Sequence, residues 1–195
     1  MNVQVKSSRG IAVMPIDTRL LADRKIFIEG EINHETANLF LKQTLFLCRE
    51  DNNKPIDVII NSPGGEVAAG LLIYDCIQSC TAPIRTYCAG TACSMAAILF
   101  ASGKNGRYMF PHSELMLHEP LLDGGIGGNI TSIRSVSKSL VNIRNKVNGI
   151  LAEHTGKTVK QIEKATSYDH FFSPEESISF GLADEIIDLG KLMEG

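Results

Sequence analysis

Apolar residues recur along this chain in two alternating patterns. Short apolar runs typical of buried strands are separated by stretches in which apolar residues return every three or four positions, as on one face of a helix. The predicted strands are residues 25–30, 56–60, 84–88, 115–118 and, at an edge, 183–187. The predicted helices are residues 34–49, 66–79, 95–101, a long one through 133–150, 159–165 and 174–180. Strand and helix in this alternation predict βαβ crossovers, and so an α/β fold with a mostly parallel sheet and flanking helices.

Two stretches depart from this alternation. Residues 1 to about 20 are expected to be irregular and polar, with a flexible turn at Ser7-Ser8-Arg9-Gly10. Residues 123–128 are too rich in glycine for an ordinary core segment.

The long helix carries a narrow apolar seam with spacings of 3, 4, 3, 4 and 3 residues. Its members are Ile133, Val136, Leu140, Ile143, Val147 and Ile150, and the opposite face carries Arg134, Lys138, Arg144 and Lys146. A seam of this width packs on another helix. The helix either packs on its own domain or projects to meet another subunit, and the Gly-rich run before it favours projection.

Composition narrows the class of protein. A chain of 195 residues with 44% apolar residues fits one globular domain, and a net charge of −3 does not suggest nucleic-acid binding. No apolar run approaches the roughly 20 residues that span a bilayer, and the N-terminus lacks the apolar segment of a secretory signal. The five cysteines contain no CxxC, which indicates neither a disulfide framework nor a zinc site. We therefore expect a cytoplasmic protein with reduced thiols, without a metal or cofactor and without a membrane or nucleic-acid partner.

Ser94 stands where a predicted strand turns into a predicted helix. The free N–H groups at a helix start can stabilise the negative charge that forms when a serine attacks a carbonyl. The common G-x-S-x-G elbow is absent, since Ala92 and Ala96 replace its glycines. Taken alone, a serine at such a turn is more often a helix cap or a packing residue.

A nucleophilic serine needs a base, and His118 is the best placed of the five histidines. It ends a predicted strand, so it belongs to the same sheet edge as the Ser94 turn. The others, at His34, His112, His154 and His170, are less apt. Asp169 is the candidate carboxylate that would orient the imidazole, and its aromatic neighbours lead us to expect it to be buried. Singly, His118 is more often a structural histidine, and Asp169 a turn or cap residue.

Gly64 and Gly65 follow a predicted strand directly. Glycines in that place let backbone N–H groups point at an anion, and no Lys-Ser/Thr pair follows to make a phosphate-binding loop. The pair is either an ordinary turn or half of an oxyanion hole, whose donors would be the N–H groups of Gly65 and Met95.

Taken together, four ordered motifs resemble the proteolytic subunit of the Clp protease family. They are Asn61-Ser62-Pro63-Gly64-Gly65, Ala92-Cys93-Ser94-Met95-Ala96, Met116-Leu117-His118-Glu119-Pro120 and Asp169-His170-Phe171-Phe172-Ser173-Pro174-Glu175. The resemblance implies a crotonase-like α/β fold of the ClpP type with a projecting strand-helix handle at about 121–153. It implies an axial-pore segment at 1–18 and a single peptidase domain at 19–195.

The same resemblance implies an ATP-dependent serine endopeptidase. Ser94 would be the nucleophile, His118 the base and Asp169 the orienting acid, with Gly65 and Met95 as oxyanion donors. Unfolded polypeptides would be cut to short peptides inside two stacked heptameric rings. An AAA+ unfoldase of the ClpX, ClpA or ClpC type would feed them in.

The chain departs from the family pattern at several positions. Ser167-Tyr168 replaces the Asp-Arg pair that often links the rings, and Ile59 and Ser79 stand where docking aromatics are usual, although Tyr108 remains. Cys93 is interpreted as a packing residue. Two alternatives stay open: a non-catalytic or regulatory ring subunit, and a crotonase-fold enzyme acting on acyl-CoA thioesters.

Overall fold

The computed structural model describes residues 1–7, 10–122 and 127–193 of the chain. The strands are β1 (Asn2–Ser7), β2 (Gly10–Pro15), β3 (Lys25–Ile32), β4 (Ile56–Gly65), β5 (Ile84–Cys93), β6 (Arg107–Met109), β7 (Glu114–Leu117), β8 (His170–Phe172) and β9 (Glu185–Ile186). The helices are α1 (Ile16–Ala22), α2 (His34–Glu50), α3 (Val67–Ser79), α4 (Met95–Ala101), α5 (Ile130–Thr155), α6 (Val159–Thr166), α7 (Pro174–Phe180) and α8 (Leu189–Met193).

A mainly parallel sheet forms the centre, as the alternation predicted. Its order is β3-β4-β5-β6-β9, with every neighbouring pair parallel. The long strand β5 pairs with β6 through Thr86–Cys88 and with β7 through Thr91–Cys93. β8 then adds antiparallel to β7. β5 thus changes partner along its length, and its second half ends at Cys93, directly before the turn at Ser94. The predicted α/β fold with a mostly parallel sheet is confirmed, and it is consistent with the ClpP fold.

Two clusters of buried apolar side chains form the core. All seven residues of α4 are buried, so this helix lies wholly inside the protein. The main core also takes in buried side chains of α2 and α3. A second cluster of Ile59, Tyr87, Ile187 and Leu192 adds residues of the C-terminal segment and α8. Each large apolar side chain that is fully buried contributes about 1.5–3 kcal/mol, so these clusters determine the fold.

The N-terminal segment is a β-hairpin rather than an irregular stretch. β1 and β2 pair antiparallel from Asn2–Pro15 to Ser7–Gly10, and α1 follows at once. The prediction of an irregular segment was therefore wrong. Val3 and Val5 alternate with polar residues, which is the period-two pattern of a strand. The pattern covers only two apolar residues, so it was too short to be recognised. The proposed boundary after residue 18 falls inside α1.

Helix α5 has two different halves. Between residues 130 and 141 none of its side chains is buried, and Ile133 and Val141 are each 43% exposed. Further along, Val147, Asn148 and Leu151 are buried. The first half therefore extends beyond the packed domain, which favours the projecting interpretation. Of the Gly-rich run, residues 123–126 lie outside the described residues, and residues 127–128 lie in neither a helix nor a strand.

Within the described residues, no helix combines the length and apolar character that crossing a membrane requires.

Candidate active site

Ser94 occupies a sharp turn between β5 and α4. Its φ of 55° and ψ of −122° lie far from ordinary strand or helix values. Of the described non-glycine residues, only Arg24 and Ser94 have a positive φ. The Ser94 N–H donates to the Met116 carbonyl at 2.7 Å, so β7 holds the turn in place. A non-glycine residue in such a conformation stores strain and is found most often at functional sites.

Gly64 passes close to this turn. A Cβ atom on Gly64 would lie 2.6 Å from the Cys93 carbonyl oxygen and 2.8 Å from Ser94 Cβ, and the φ of Gly64 is +96°. The same Cβ position is 3.2 Å from the Met95 nitrogen. Only glycine fits here, because there is no room for a side chain and because φ is positive. The close approach places the Gly64-Gly65 segment beside the first N–H groups of α4.

Gly65 and His118 share a cavity with Ser94. This cavity of about 360 Å³ is lined by Glu31, Pro63, Gly65, Glu66, Val67, Ser94, His118, Pro120 and Leu121. A smaller cavity of about 20 Å³, lined by Ser94, Met95, His118 and mainly apolar side chains, adjoins the same residues. The structure thus brings four of the five predicted site residues to one place at the carboxyl ends of the parallel strands.

The fifth residue, Asp169, directly precedes β8. Leu117 and His170 form the last pair of the antiparallel β7–β8 ladder, so His118 and Asp169 each lie one residue beyond that pair. The ladder thus carries both residues to the same end of β7 and β8, although they are far apart in the sequence. Asp169 lines neither cavity at Ser94.

The expected burial of Asp169 is wrong. Its side chain is exposed, and so are its neighbours Tyr168, at 59%, and Phe171, at 52%. The reason is that Asp169 precedes a short strand, β8, that pairs within the described sheet only with β7. Phe172 is buried, but the other aromatic side chains of this run do not enclose the carboxylate.

The three candidate side chains are not hydrogen-bonded to one another in the part of the chain that the structure describes. Across residues 1–7, 10–122 and 127–193, no hydrogen bond joins Ser94 to His118 or His118 to Asp169. A serine hydroxyl is activated only when a base can accept its proton. In the described arrangement, the Ser94 hydroxyl is not hydrogen-bonded to a base.

The other histidines have different surroundings. His154 bonds to the Tyr74 hydroxyl at 3.1 Å, and burial lowers the pKa of its imidazole. His34 lies 3.3 Å from Glu66, and His170 stacks on Phe172 with 4.0 Å between ring centres. None of these lines either of the two cavities at Ser94. The choice of His118 over its alternatives agrees with this placement.

Cys93, next to Ser94, is half-buried and lines neither cavity. Burial raises the pKa of its thiol above the ordinary value. A raised pKa keeps the thiol protonated and weakly nucleophilic at neutral pH. These observations support the interpretation of Cys93 as a packing residue.

Sequence analysis missed two contributions from α5. Asn148 is 1% exposed and lines the smaller cavity, and its amide nitrogen and oxygen have no partner among the described residues. Arg144 of α5 forms a salt bridge with Glu119 at 3.4 Å. Since Glu119 follows His118 directly, this salt bridge links the His118 segment to α5. The sequence did contain a signal for Asn148: it is a polar residue that lies between the apolar residues Val147 and Leu151.

The part of the chain that the structure describes contains no group of three or more His, Cys, Asp or Glu side chains suited to hold a metal ion. The larger cavity has Glu31 and Glu66 in its lining.

A comparison with protein families agrees with the geometry. Residues 8–190 of the 195-residue chain match the family model described as Clp protease. The matched range contains all four sequence motifs and each of the residues placed at the cavity. Members of this family are in general serine peptidases that work with Clp ATPases in ring assemblies. The chain therefore belongs to the Clp protease family as a ClpP-type peptidase.

Proposed function

We propose that this chain is the proteolytic subunit of an ATP-dependent Clp protease, a serine endopeptidase that cuts unfolded polypeptides into short peptides. One observation carries the proposal: Ser94, in a strained turn with φ of 55°, shares a cavity of about 360 Å³ with His118 and Gly65. A nucleophile, a base and a backbone donor around one cavity are what peptide hydrolysis needs.

In the proposed reaction, Ser94 Oγ attacks the carbonyl carbon of the scissile peptide bond while His118 accepts its proton. The oxyanion that forms accepts hydrogen bonds from the N–H groups of Gly65 and Met95. His118 then gives the proton to the leaving amine, which leaves an acyl-enzyme on Ser94. Water then attacks the acyl-enzyme ester while His118 accepts its proton, and His118 returns that proton to Ser94 Oγ as the second product is released.

Asp169 would orient the imidazole of His118 and stabilise its cation. Because Asp169 is exposed and adjoins the exposed Tyr168, we infer that contacts with another subunit complete the alignment of the three side chains. Ser167-Tyr168 occupies the place of the family's Asp-Arg pair, so this chain would use a different contact there.

The first half of α5 supports the proposed assembly into two stacked heptameric rings. Its exposed apolar positions, such as Ile133 at 43% and Ile130 at 77%, have no cover within the described chain. Their burial against the same helix of an opposing subunit would supply the contact between rings. The handle at about 121–153 would then connect the two halves of a closed chamber.

Charging this seam is expected to separate the rings. In Ile133→Glu a carboxylate would have to be buried in an apolar contact, which is unfavourable. Sedimentation should then show particles of half the parental size. Ser135→Glu, which adds the same charge at an exposed position on the other side of α5, is the matched control and should keep the full size. A full-size Ile133→Glu particle would contradict a role of this seam in ring contact.

The N-terminal segment, residues 1–18, is proposed to line the axial pore through which an AAA+ unfoldase delivers substrate. Its hairpin presents Ile11 and Val13, each 63% exposed, which suits contact with extended, apolar polypeptide. At the docking positions named above, Ile59 is 6% exposed and the Tyr108 ring stacks on Tyr87 at 5.0 Å, so any aromatic docking contact would centre on Tyr108.

A fluorophosphonate probe tests the peptidase assignment directly. The probe phosphonylates an activated serine, and peptide mapping by mass spectrometry should locate it on Ser94 in the assembled particle. An assembled particle in which Ser94 stays unmodified would contradict the peptidase and favour a non-catalytic ring subunit. Unmodified Ser94 together with a raised melting temperature on adding a coenzyme A analogue would favour the acyl-CoA enzyme instead.

A further inference from the structure

Three cysteines line one cavity between α2 and α3, away from the Ser94 site. Cys48 lies in the last turns of α2, Cys76 lies in α3, and Cys80 follows the end of α3. All three line a surface cavity of about 180 Å³. The Sγ atoms of Cys48 and Cys80 are 2.7 Å apart, and both cysteines are free thiols in this structure.

We propose that Cys48 and Cys80 form a reversible disulfide when the protein meets a disulfide oxidant such as oxidised glutathione. A disulfide places its sulfurs at about 2.05 Å, so the two atoms need to approach by well under 1 Å. Neither helix has to move far, because the sulfurs already face each other across the α2–α3 contact. This covalent modification site is independent of the proposed peptidase function.

The backbone around the pair is already fixed. The Cys80 N–H donates to the Cys76 carbonyl at 3.0 Å, and Lys104 Nζ donates to the Cys80 carbonyl at 2.8 Å. Cys48 sits on a helix of 17 residues whose buried face packs into the main core. Two thiols held by rigid elements lose little further freedom when they join, which favours the intramolecular bond over two separate mixed disulfides.

The exchange chemistry balances with glutathione disulfide as the oxidant. The thiolate of Cys48 attacks one sulfur of the oxidant, forms a mixed disulfide and releases one glutathione thiolate, which takes up a proton. Cys80 then loses its proton, attacks the Cys48 sulfur and releases the second glutathione. Two protein thiols are oxidised to one disulfide, and one glutathione disulfide is reduced to two glutathione thiols.

The order of attack follows from exposure. Cys48 is half-buried, whereas Cys80 is 7% exposed, and burial raises the pKa of the Cys80 thiol to about 11. Cys48 is therefore the thiol that meets the oxidant, and Cys80 is the one that resolves the mixed disulfide. Dithiothreitol or reduced glutathione would reverse both steps.

The other cysteines provide internal comparisons. Cys76 lines the same cavity but has no sulfur contact with Cys48 or Cys80 among the described residues. The Cys88 thiol donates to the Glu114 carbonyl at 3.7 Å, and burial raises its pKa to about 12. We therefore expect oxidation to be selective for the 48–80 pair.

Closing the bond would cross-link the segment that contains β4, Gly64-Gly65 and α3. A loop of this length restricts the unfolded chain. For a domain of about 200 residues, the oxidised protein is therefore expected to melt about 5–10 °C higher than the reduced protein. The added stability would be lost again on reduction.

The test uses the full-length protein with oxidised glutathione as the probe. After incubation, free thiols are alkylated and an unreduced digest is analysed by mass spectrometry. We expect a peptide pair linked through Cys48 and Cys80, its disappearance with dithiothreitol, and the matching difference in melting temperature. Because this disulfide mapping is done on the protein without substitutions, its result does not depend on whether a variant folds.

Variants then check the assignment. Cys48→Ala should abolish both the linked peptide and the redox-dependent change in melting temperature, and so should Cys80→Ala. Cys76→Ser, in the same cavity, is the matched control and should keep both. The proposal fails if Cys48 and Cys80 remain separately alkylated under excess oxidant. It also fails if each carries glutathione without a link between them, or if Cys48 links to Cys76 instead.

Discussion

Replacing Ser94 by alanine is expected to lower the rate of peptide hydrolysis by a factor on the order of 10⁴–10⁶, the loss typical of removing a serine-protease nucleophile. The reason is that, among the residues that the structure describes, Ser94 carries the only hydroxyl lining the cavity of about 360 Å³ shared with His118 and Gly65. Substrate binding and the proposed oxyanion donors would remain, so the small residual rate would reflect those alone. Hydrolysis of a fluorogenic peptide by the assembled particle measures the change.

Cys93→Ala is the matched control for this experiment. The thiol neighbours Ser94 in sequence but lines neither cavity at the site, and its raised pKa disfavours the reactive thiolate. Activity within a few-fold of the parent is expected. If Ser94→Ala kept full activity while Cys93→Ala lost it, the roles assigned to these two residues would have to be exchanged.

Replacing Gly64 by alanine is expected to reduce turnover by a factor on the order of 10²–10³. The added methyl group would lie 2.6 Å from the Cys93 carbonyl oxygen and 2.8 Å from Ser94 Cβ, and alanine is strained at a φ of +96°. Either the Ser94 turn or the Gly64-Gly65 segment must shift, so Ser94 and the proposed oxyanion donors would lose their relative placement. Turnover of a fluorogenic peptide, measured on protein that circular dichroism shows to be folded, separates this effect from unfolding.

Gly149→Ala provides the comparison for Gly64→Ala. Among the described residues, a Cβ atom on Gly149 would meet no heavy atom within 4 Å outside its own helix. Alanine is about 1 kcal/mol more favourable than glycine in a helix interior. Unchanged turnover and an equal or higher melting temperature are expected. Normal turnover of folded Gly64→Ala would show that the close packing of Gly64 on the Ser94 turn does not position the catalytic groups.

Sequence reasoning predicted the centre of the fold well because its signals were local and strong. The strand-to-helix turn at Ser94 followed from an apolar run, small residues and a second apolar run, and the structure has β5, the turn and α4 in that order. The helix predicted at residues 174–180 also forms, as α7, and it begins with a capping box in which Ser173 and Glu176 each accept from the other's backbone N–H.

The predictions that failed depended on what lies beside a segment rather than within it. β4 and β5 continue to Gly65 and Cys93, well past their apolar runs, because partner strands pair with their polar ends. Asp169 was expected to be buried because of its aromatic neighbours, but two of them are exposed: Tyr168, which precedes β8, and Phe171, which lies in β8. The N-terminal hairpin depends on the pairing of β1 with β2, which a scan for apolar runs does not reveal.

The unbonded arrangement of Ser94, His118 and Asp169 bears on how a newly synthesised subunit behaves. Among the described residues, the Ser94 hydroxyl has no acceptor for its proton. Under the proposed function, free subunits are therefore expected not to cleave surrounding proteins. If neighbouring subunits align these three side chains, the rate of peptide hydrolysis would rise steeply with subunit concentration, because many subunits must assemble first. Dilution alone would then switch the enzyme off, without any inhibitor.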